Sequence, residues 1–527
     1  IAENNELLFF TNYVSENGQV KSWLHEHDTR YNCYNESEEI AGGVPVNRPN
    51  IFVKEMNQYE IKTQAGTLHY NMKWLDNDKG LQKKRAFLKS IWLQTCAYLY
   101  KEERIRPEEL RWSYPGSMME ADSAELEKIF EELCRMTPIT GGRQPQLGRE
   151  LTTEAEAVCS FALSRDFGLN KDNMFLGIDV GGSTSDILLL AKDQNNGNKS
   201  SLYRESSVRI AAGVFFNAVI KSESFRQALV SFHEGRKTKV FVANIKEVLT
   251  QPSKAPYYLN SIFDQLKSEN DYEEFYSSIN NNARFVFTIP AYVTGLLLFY
   301  SGMLIGKTIK TEKMDHIRRV DVLSFGKGGR LFHWLRSSAT QRVTNEYYEN
   351  CLNAGVNLVT EKNLEVKYRD EIEINNKAEV AMGLVDAKEL IKKQQEVDSD
   401  ICGETGVKYI MDDGTPKELQ TEDELTGEYF ANEMNKFDFS GVTNFEKFME
   451  IFIDFVSQKT RLYPQEDNLR EELADLPNRI TSYICNNDDE YRKARRTQGD
   501  DFTYHQPIII AEGACFLDTL IKKAFNQ

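Results

Sequence analysis

The sequence contains few cysteines for its 527 residues, and none lies close enough to another to form a metal-binding motif. It has eight, and the two nearest, Cys134 and Cys159, are 25 positions apart. Neither a CxxC motif nor the spacing of a zinc finger occurs, which argues against a structural zinc site or a disulfide framework. We therefore expect a protein of a reducing compartment, the cytoplasm.

Positive charge is also in short supply. The sequence has 64 Lys and Arg residues against 80 Asp and Glu residues, which gives a net charge of −16. Such a balance does not favour a polyanion-binding surface, so we expect no nucleic-acid partner.

Long hydrophobic runs are rare too, and one stretch alone imitates a membrane span. Phe285 to Gly306 carries no charge over 22 residues, a length that could cross a bilayer. It contains Pro290 and several scattered hydroxyl side chains, which favour a protein core. We predict a strand over Arg284–Thr288 and a buried helix over Ala291–Ile305, and we expect no membrane partner.

What remains is ordinary globular composition with mixed α/β patterning. Before the centre of the chain, the pattern predicts a hairpin over 5–24, extended segments at 51–54 and 59–70, a helix over 83–101, a strand over Leu110–Tyr114 and helices over Ala121–Arg135 and Thr153–Leu163, the last capped by Thr152. After it, the pattern predicts strands Leu202–Ile210, Val320–Phe325 and Pro507–Ala511, and helices Gly213–Ile220, Leu331–Ser337, 376–393, Phe445–Phe455 and Phe516–Ala524.

The most informative segment joins two apolar runs, Met174–Val180 and Asp186–Ala191, through a glycine-rich turn. Gly181 and Gly182 can adopt positive φ and let backbone N–H groups approach a phosphate, and Ser183 and Thr184 add hydroxyl donors. Asp179 is placed to orient a hydrated Mg²⁺, which usually keeps several waters and binds one or two carboxylates. The alternative is a hairpin whose glycines only make the turn.

These residues resemble the second phosphate-binding hairpin of the actin-like ATPases, a superfamily shared with heat-shock chaperone ATPase domains and sugar kinases, here in its bacterial actin-like branch. The positions that match are Asp179, Gly181, Gly182, Thr184, Asp186 and Ile187. The resemblance implies ATP and Mg²⁺ as cofactors.

Three further segments resemble family motifs in the expected order. Glu154–Val158 is similar to the first inter-lobe helix, which implies that Glu156 or Glu154 directs the attacking water. Leu323–Leu331 resembles the adenosine-binding loop, with Gly326, Lys327, Gly328 and Gly329 at the nucleoside, although Lys327 departs from the usual pattern. Glu379–Leu384 resembles the second inter-lobe helix.

Two other glycine segments compete with these motifs. Gly302–Thr308 imitates a P-loop but has three residues between its glycines, where four are required. Glu512-Gly513 follows a predicted strand and is the alternative position for adenine.

The resemblance implies a two-lobed α/β fold of duplicated ribonuclease-H-like domains with nucleotide in the cleft between the lobes. Lobe I would span 1–173 and lobe II 174–387 with an inserted subdomain near 221–319, followed by a C-terminal extension, 388–527. The family's first phosphate hairpin has no match. Either the chain begins after that hairpin, which we favour because no methionine starts it, or the protein has lost it.

The expected function is an ATP-binding actin- or chaperone-like ATPase. The alternative is a degenerate nucleotide-binding scaffold or interaction protein without catalysis, and a small-molecule kinase ranks behind both. Besides nucleotide, we expect a protein partner or self-assembly.

Overall fold

The computed structural model of the protein describes the chain from residue 81 onward with gaps. Described are scattered helical positions within 81–99 and 255–266, and the ranges 106–114, 118, 120–137, 143–148, 152–164, 169–182, 184–193, 199–237, 239–250, 271–336, 340–369, 378–386, 400–410, 413–424, 437–439, 443–463, 465–487 and 506–525. The predicted hairpin over 5–24 and the extended segments at 51–54 and 59–70 lie outside the described residues.

Two compact units divide the chain. Unit 1 comprises Ile1–Trp112, Met118–Leu151 and Arg226–Ser278, and unit 2 comprises Ser113–Ser117, Thr152–Phe225 and Ile279–Gln527. The predicted lobe limits follow a different division of the chain and stay a prediction.

The strands are short at the start of the described chain and long in its centre. In chain order they are β1 Glu109–Leu110, β2 Ser113–Tyr114, β3 Gln146–Leu147, β4 Thr152–Thr153, β5 Asn173–Val180, β6 Ser185–Asp193, β7 Lys199–Val208, β8 Arg319–Phe325, β9 Glu365–Tyr368, β10 Lys408–Ile410, β11 Pro416–Glu418 and β12 Phe437–Asp438. The predicted strand over Leu110–Tyr114 is two short strands, β1 and β2, which pair with β3 and β4.

Helices and strands both occur, which confirms the mixed α/β class, and helices contribute more residues than strands. The α-helices are α1 Glu120–Met136, α2 Glu154–Ser164, α3 Ala212–Val219, α4 Glu223–His233, α5 Lys239–Leu249, α6 Tyr272–Asn282, α7 Thr288–Thr311, α8 Arg330–Trp334, α9 Gln341–Asn357, α10 Ala378–Asp386, α11 Asn444–Ile453, α12 Glu466–Ala474, α13 Leu476–Asn487 and α14 Ile508–Phe525.

The centre of unit 2 is a five-stranded sheet in the order β7-β6-β5-β8-β9. β5, β6 and β7 are antiparallel neighbours, whereas β8 runs parallel to both β5 and β9. Strands β5 and β6 are buried along nearly their whole length, as their continuous apolar runs predict. Because β5 and β8 are parallel, the turns that follow both strands emerge at one edge of the sheet.

One face of this sheet is covered by α2. The shared core contains side chains of α2, such as Val158 and Cys159, and of the sheet, such as Phe175, Leu188 and Phe325. Helix α10 packs tightly against α2, since a Cβ at its Gly383 would lie 1.7 Å from the carbonyl oxygen of Ala157. The glycine therefore permits the close approach of the two helices.

The charge-free run forms a core helix, α7, that is longer than predicted. Residues Arg284–Phe287, predicted as a strand, instead form a 3₁₀ turn that leads into α7. Among the described residues, Arg284–Thr311 is the one helical stretch long and apolar enough to span a membrane, and its most apolar 18-residue window is completely buried. Its glycines serve packing, since a Cβ at Gly302 would lie 2.1 Å from the Leu352 carbonyl oxygen of α9.

The predicted strand over Pro507–Ala511 is also wrong. Its isoleucines open helix α14, where Ile508, Ile509 and Ile510 are all at most 1% exposed. β-branched residues favour strands only weakly, and burial on every side of a helix overrides that preference. The prediction of a helix over Phe445–Phe455 is confirmed by α11 and the π-helical turn Asp454–Lys459 that continues it.

Candidate functional site

The β5–β6 hairpin carries the predicted phosphate-binding turn. Its strands pair Asp179 with Asp186, and Val180 with Ser185. The turn closes through a hydrogen bond of 2.8 Å from the N–H of Gly181 to the carbonyl oxygen of Thr184. The two strands thus present the tip at the carboxyl end of β5, as the sequence predicts.

The tip differs in detail from the expectation. Neither Gly181 nor Gly182 has a φ in the left-handed region, so the predicted positive φ is wrong for both. A Cβ at Gly181 would lie 2.8 Å from the Thr184 carbonyl oxygen, whereas a Cβ at Gly182 would meet nothing within 4 Å. Gly181 is therefore required by the turn itself, and Gly182 faces open space.

The predicted hydroxyl donors are less accessible than the backbone. Thr184 is 5% exposed and the neighbouring Ser185 is fully buried, with its Oγ donating to the carbonyl oxygen of Ile210 at 2.5 Å. Ser183 lies outside the described residues. Among the described tip residues, the exposed group is the Gly182 backbone.

Two carboxylates stand opposite each other at the base of the tip. Asp179 and Asp186 are directly paired across the hairpin, and paired residues of neighbouring strands point to the same face. Asp186 is 2% exposed and accepts a hydrogen bond from Ser207. Like charges in this position are destabilising, so a cation beside them would be stabilising.

This donor set fits Mg²⁺, which prefers carboxylate oxygens and retains waters and phosphate ligands. Among the described residues, no group of three or more His, Cys, Asp or Glu could hold a metal ion by itself. A hydrated Mg²⁺ that takes its remaining ligands from phosphates requires only one or two carboxylates. Asp179, together with Asp186 paired opposite it across the hairpin, satisfies that requirement.

The glycine turn after β8 packs against the end of β5. Phe325, the last residue of β8, pairs with Asp179, and Gly326 follows with φ of +68°. A Cβ at Gly326 would lie 2.1 Å from Oδ1 of Asp179, and one at Gly328 would lie 2.5 Å from the Val180 carbonyl oxygen. The segment predicted as a loop contains a 3₁₀ turn, Lys327–Gly329, before α8 begins.

The structure therefore brings together the two glycine segments that the sequence singled out. The hairpin tip follows β5 and the turn of Gly326–Gly329 follows β8, at the carboxyl edge of two parallel neighbours. In open α/β sheets, ligands bind in the crevice outside the carboxyl ends of such strands, where connections diverge to opposite sides. In this sheet β6, to which β5 is connected, lies on one side of β5, and β8 lies on the other side of β5.

The two glutamates of α2 open that helix, and one of them caps it. Oε2 of Glu156 accepts a hydrogen bond of 2.7 Å from the N–H of Thr153, while Thr153 Oγ1 accepts one of 3.1 Å from the N–H of Glu156. This reciprocal pair is a capping box. The cap is thus Thr153, not the predicted Thr152, and the Glu156 carboxylate has a structural partner. Glu154 lies in the same first turn and is half-buried.

A carboxyl pair that the sequence did not predict lies deeper in unit 2. Glu404 is fully buried and accepts four backbone N–H groups, from Thr405, Thr443, Asn444 and Phe445, at 2.7–3.0 Å. Three of those groups belong to the start of α11, so the carboxylate caps that helix. No local pattern marks Glu404, because three of its four donors lie about 40 residues along the chain.

Glu512 on α14 is the partner of this carboxylate. It is 1% exposed, and neither of its oxygens has a hydrogen-bond donor among the described residues. Burial, followed by the charge of Glu404, raises the pKa of Glu512 well above its ordinary value. Burial therefore favours the neutral form of Glu512, whose O–H can donate a hydrogen bond to the Glu404 side chain.

Both competing glycine segments are buried inside helices. Glu512-Gly513 lies within α14, where the Gly513 carbonyl oxygen accepts a hydrogen bond of 2.9 Å from Tyr292 Oη. Gly302–Thr308 lies inside α7, so its resemblance to a P-loop has no functional meaning. Neither segment offers a helix N-terminus or an open turn to a ligand.

No model of a known protein family matches the chain, and no curated protein matches it. The functional argument therefore depends on the geometry of the hairpin tip and its surroundings.

Proposed function

We propose that the protein binds ATP with Mg²⁺ at the carboxyl edge of β5 and β8, as a member of the actin-like ATPase group. The observation that carries this proposal is the packing of the Gly326–Gly329 turn against the end of β5, where Gly326 approaches the Asp179 carboxylate and Gly328 approaches Val180, the residue just before the hairpin tip. Phosphates would lie at the tip, and the nucleoside would lie at the Gly326–Gly329 turn. A sheet of three antiparallel strands followed by two parallel ones is compatible with a ribonuclease-H-like lobe and supports the two-lobed fold that we propose.

The chemistry proposed for this edge is positioning and electrostatic stabilisation. Phosphoryl transfer requires little covalent participation by protein groups, so orientation and neutralisation of charge carry the catalysis. The Gly182 backbone would bind phosphate oxygens, and Asp179 would orient a hydrated Mg²⁺ that supplies positive charge to the phosphates. Glu154 or Glu156 would orient water.

The experiment is a calorimetric titration of the protein with MgATP, repeated with Gly182→Val. Because a Cβ at Gly182 meets no atom within 4 Å and its φ is not left-handed, the variant should fold normally. Its side chain would project into the space assigned to the phosphates, so binding should be lost. Asn217→Val, an exposed change on α3, is the control and should leave binding intact.

Two results would contradict the proposal. The first is an unaltered MgATP affinity in folded Gly182→Val, which would show that the tip does not contact phosphate. The second is no binding of MgATP by the unaltered protein.

One observation favours the second candidate, a nucleotide-binding scaffold without catalysis that acts through a protein partner or self-assembly. Oε2 of Glu156 already accepts the Thr153 N–H in the capping box of α2, and this contact opposes a turn of the carboxylate toward an attacking water. Removing one preorganised donor around the developing charge can reduce a rate by about 10²–10³. Steady-state phosphate release distinguishes the candidates, since a scaffold binds MgATP and releases no phosphate above the rate of a Gly182→Val control.

A further inference from the structure

The first two N–H groups of α3 hold the carbonyl oxygens of the hairpin tip. Ala212 N–H donates to Gly181 at 3.1 Å, and Gly213 N–H donates to Gly182 at 3.0 Å. These N–H groups have no partner within their own helix, because the first turn of any helix lacks intrahelical acceptors. The tip therefore serves as the cap of α3, and α3 in turn fixes the tip.

This contact determines which way the tip peptides face. The peptide that joins Gly181 to Gly182 is planar and trans, as no cis peptide occurs among the described residues. Its N–H, which belongs to Gly182, points away from its carbonyl oxygen. Since that oxygen is directed at α3, the Gly182 N–H is directed away from α3, and Gly182 is itself an exposed residue.

Only glycine at position 213 allows this arrangement. A Cβ there would lie 2.2 Å from the Gly182 carbonyl oxygen and 3.4 Å from its carbonyl carbon. Cβ atoms essentially never come within 3.0 Å of another heavy atom, so the tip would have to move by about 0.8 Å. The obstacle is backbone, and no side-chain rotation relieves it.

We propose that Gly213 is a positioning residue for phosphate binding: its missing side chain lets α3 hold the tip so that the Gly182 N–H faces the ligand. This inference rests on the proposed function. It extends the site to a residue that does not itself touch the phosphates. The positive end of the α3 dipole adds to the effect, because its N–H donors polarise the tip peptides whose carbonyls accept from them.

The test compares Gly213→Ala with the unaltered protein for two ligands, MgATP and AMP. Alanine favours a helix more than glycine does, so without the clash this change would stabilise α3. We expect MgATP to bind about 10- to 100-fold more weakly, since a displacement of about 1 Å can reduce function about 10²-fold. Affinity for AMP, which lacks the β- and γ-phosphates, should change by less than about twofold. The control on the same helix, Asn217→Ala, should change neither affinity.

A general structural defect would weaken both ligands together, and that result would overturn the inference. Unchanged MgATP affinity in folded Gly213→Ala would overturn it as well, while leaving the proposed function intact. Failure of the unaltered protein to bind MgATP would remove the proposed function and this inference with it.

A second variant covers the case in which Gly213→Ala does not fold. Ser185→Ala removes the hydrogen bond to the Ile210 carbonyl, which ties the hairpin to the residues just before α3. We expect a loss of MgATP affinity of about three- to tenfold, the effect of one hydrogen bond, with AMP again unchanged. Equal loss for both ligands would overturn the inference here too.

Discussion

Replacing Gly326 with alanine tests whether the glycine turn positions the Asp179 carboxylate. Two effects act at this residue. Its φ of +68° lies in the left-handed region, which costs an L-residue about 1–2 kcal/mol. In addition, the new Cβ would lie 2.1 Å from Oδ1 of Asp179, so the carboxylate or the turn must move, at a further cost of about 1–3 kcal/mol.

Gly414 provides a matched control. Its φ is +82°, so Gly414→Ala has the same backbone strain, but a Cβ there would meet nothing within 4 Å. Gly414→Ala should therefore lose about 1–2 kcal/mol of unfolding free energy. Gly326→Ala should lose about 2–5 kcal/mol, the sum of strain and overpacking.

The assays are guanidinium unfolding of both variants and titration with ATP in the presence and absence of Mg²⁺. Displacement of Asp179 should lower the Mg²⁺-dependent part of ATP affinity in Gly326→Ala alone. Equal destabilisation of the two variants would refute the packing argument. An undiminished Mg²⁺ effect in Gly326→Ala would refute the role of Asp179.

Three further predictions concern other side chains and packing contacts. The pKa of Glu512 is raised in the folded state, so the stabilisation that its protonated form provides is present at low pH and is lost as the pH rises above the pKa of the unfolded chain, at about 1.36 kcal/mol per unit of difference between the two pKa values. Glu512→Gln should therefore be more stable than the unaltered protein at alkaline pH in thermal unfolding. Parallel pH profiles of the two proteins would contradict this. Glu156→Ala removes the side chain that accepts the Thr153 N–H, so it should weaken the capping box of α2 by about 1 kcal/mol in urea unfolding without changing MgATP affinity, and a change in affinity without a change in stability would contradict the structural role. Gly302→Ala should destabilise the protein by about 3 kcal/mol, because a Cβ there would lie 2.1 Å from the Leu352 carbonyl oxygen, and a loss below about 0.5 kcal/mol would show that α7 and α9 separate easily.

Local patterns predicted the central elements well. Continuous apolar runs gave β5 and β6, and the Gly-Gly turn between them was identified from its residues alone. The strand Val320–Phe325 with its following glycines was also predicted correctly in outline. In these segments the local sequence preference agrees with the burial that the fold imposes, so the sequence pattern alone was sufficient to predict them.

Sequence reasoning failed where tertiary burial determined the structure. Arg284–Thr288 and Pro507–Ala511 are short apolar runs, which periodicity cannot assign to strand or helix. Both segments are helical here. The Glu404–Glu512 pair and the contact of Gly213 with the tip join residues far apart in sequence, so no local signal could identify them. The turn at the hairpin tip was predicted from its residues, but the positive φ expected for its glycines was wrong.

The most direct test of the central claim is a crystal structure of the protein with Mg²⁺ and a non-hydrolysable ATP analogue. We predict phosphate oxygens within hydrogen-bond distance of the Gly182 N–H, the metal ion on the side of Asp179, and the base at the Gly326–Gly329 turn. Nucleotide bound away from the β5–β6 tip, or a nucleotide-free site at saturating analogue, would contradict the account.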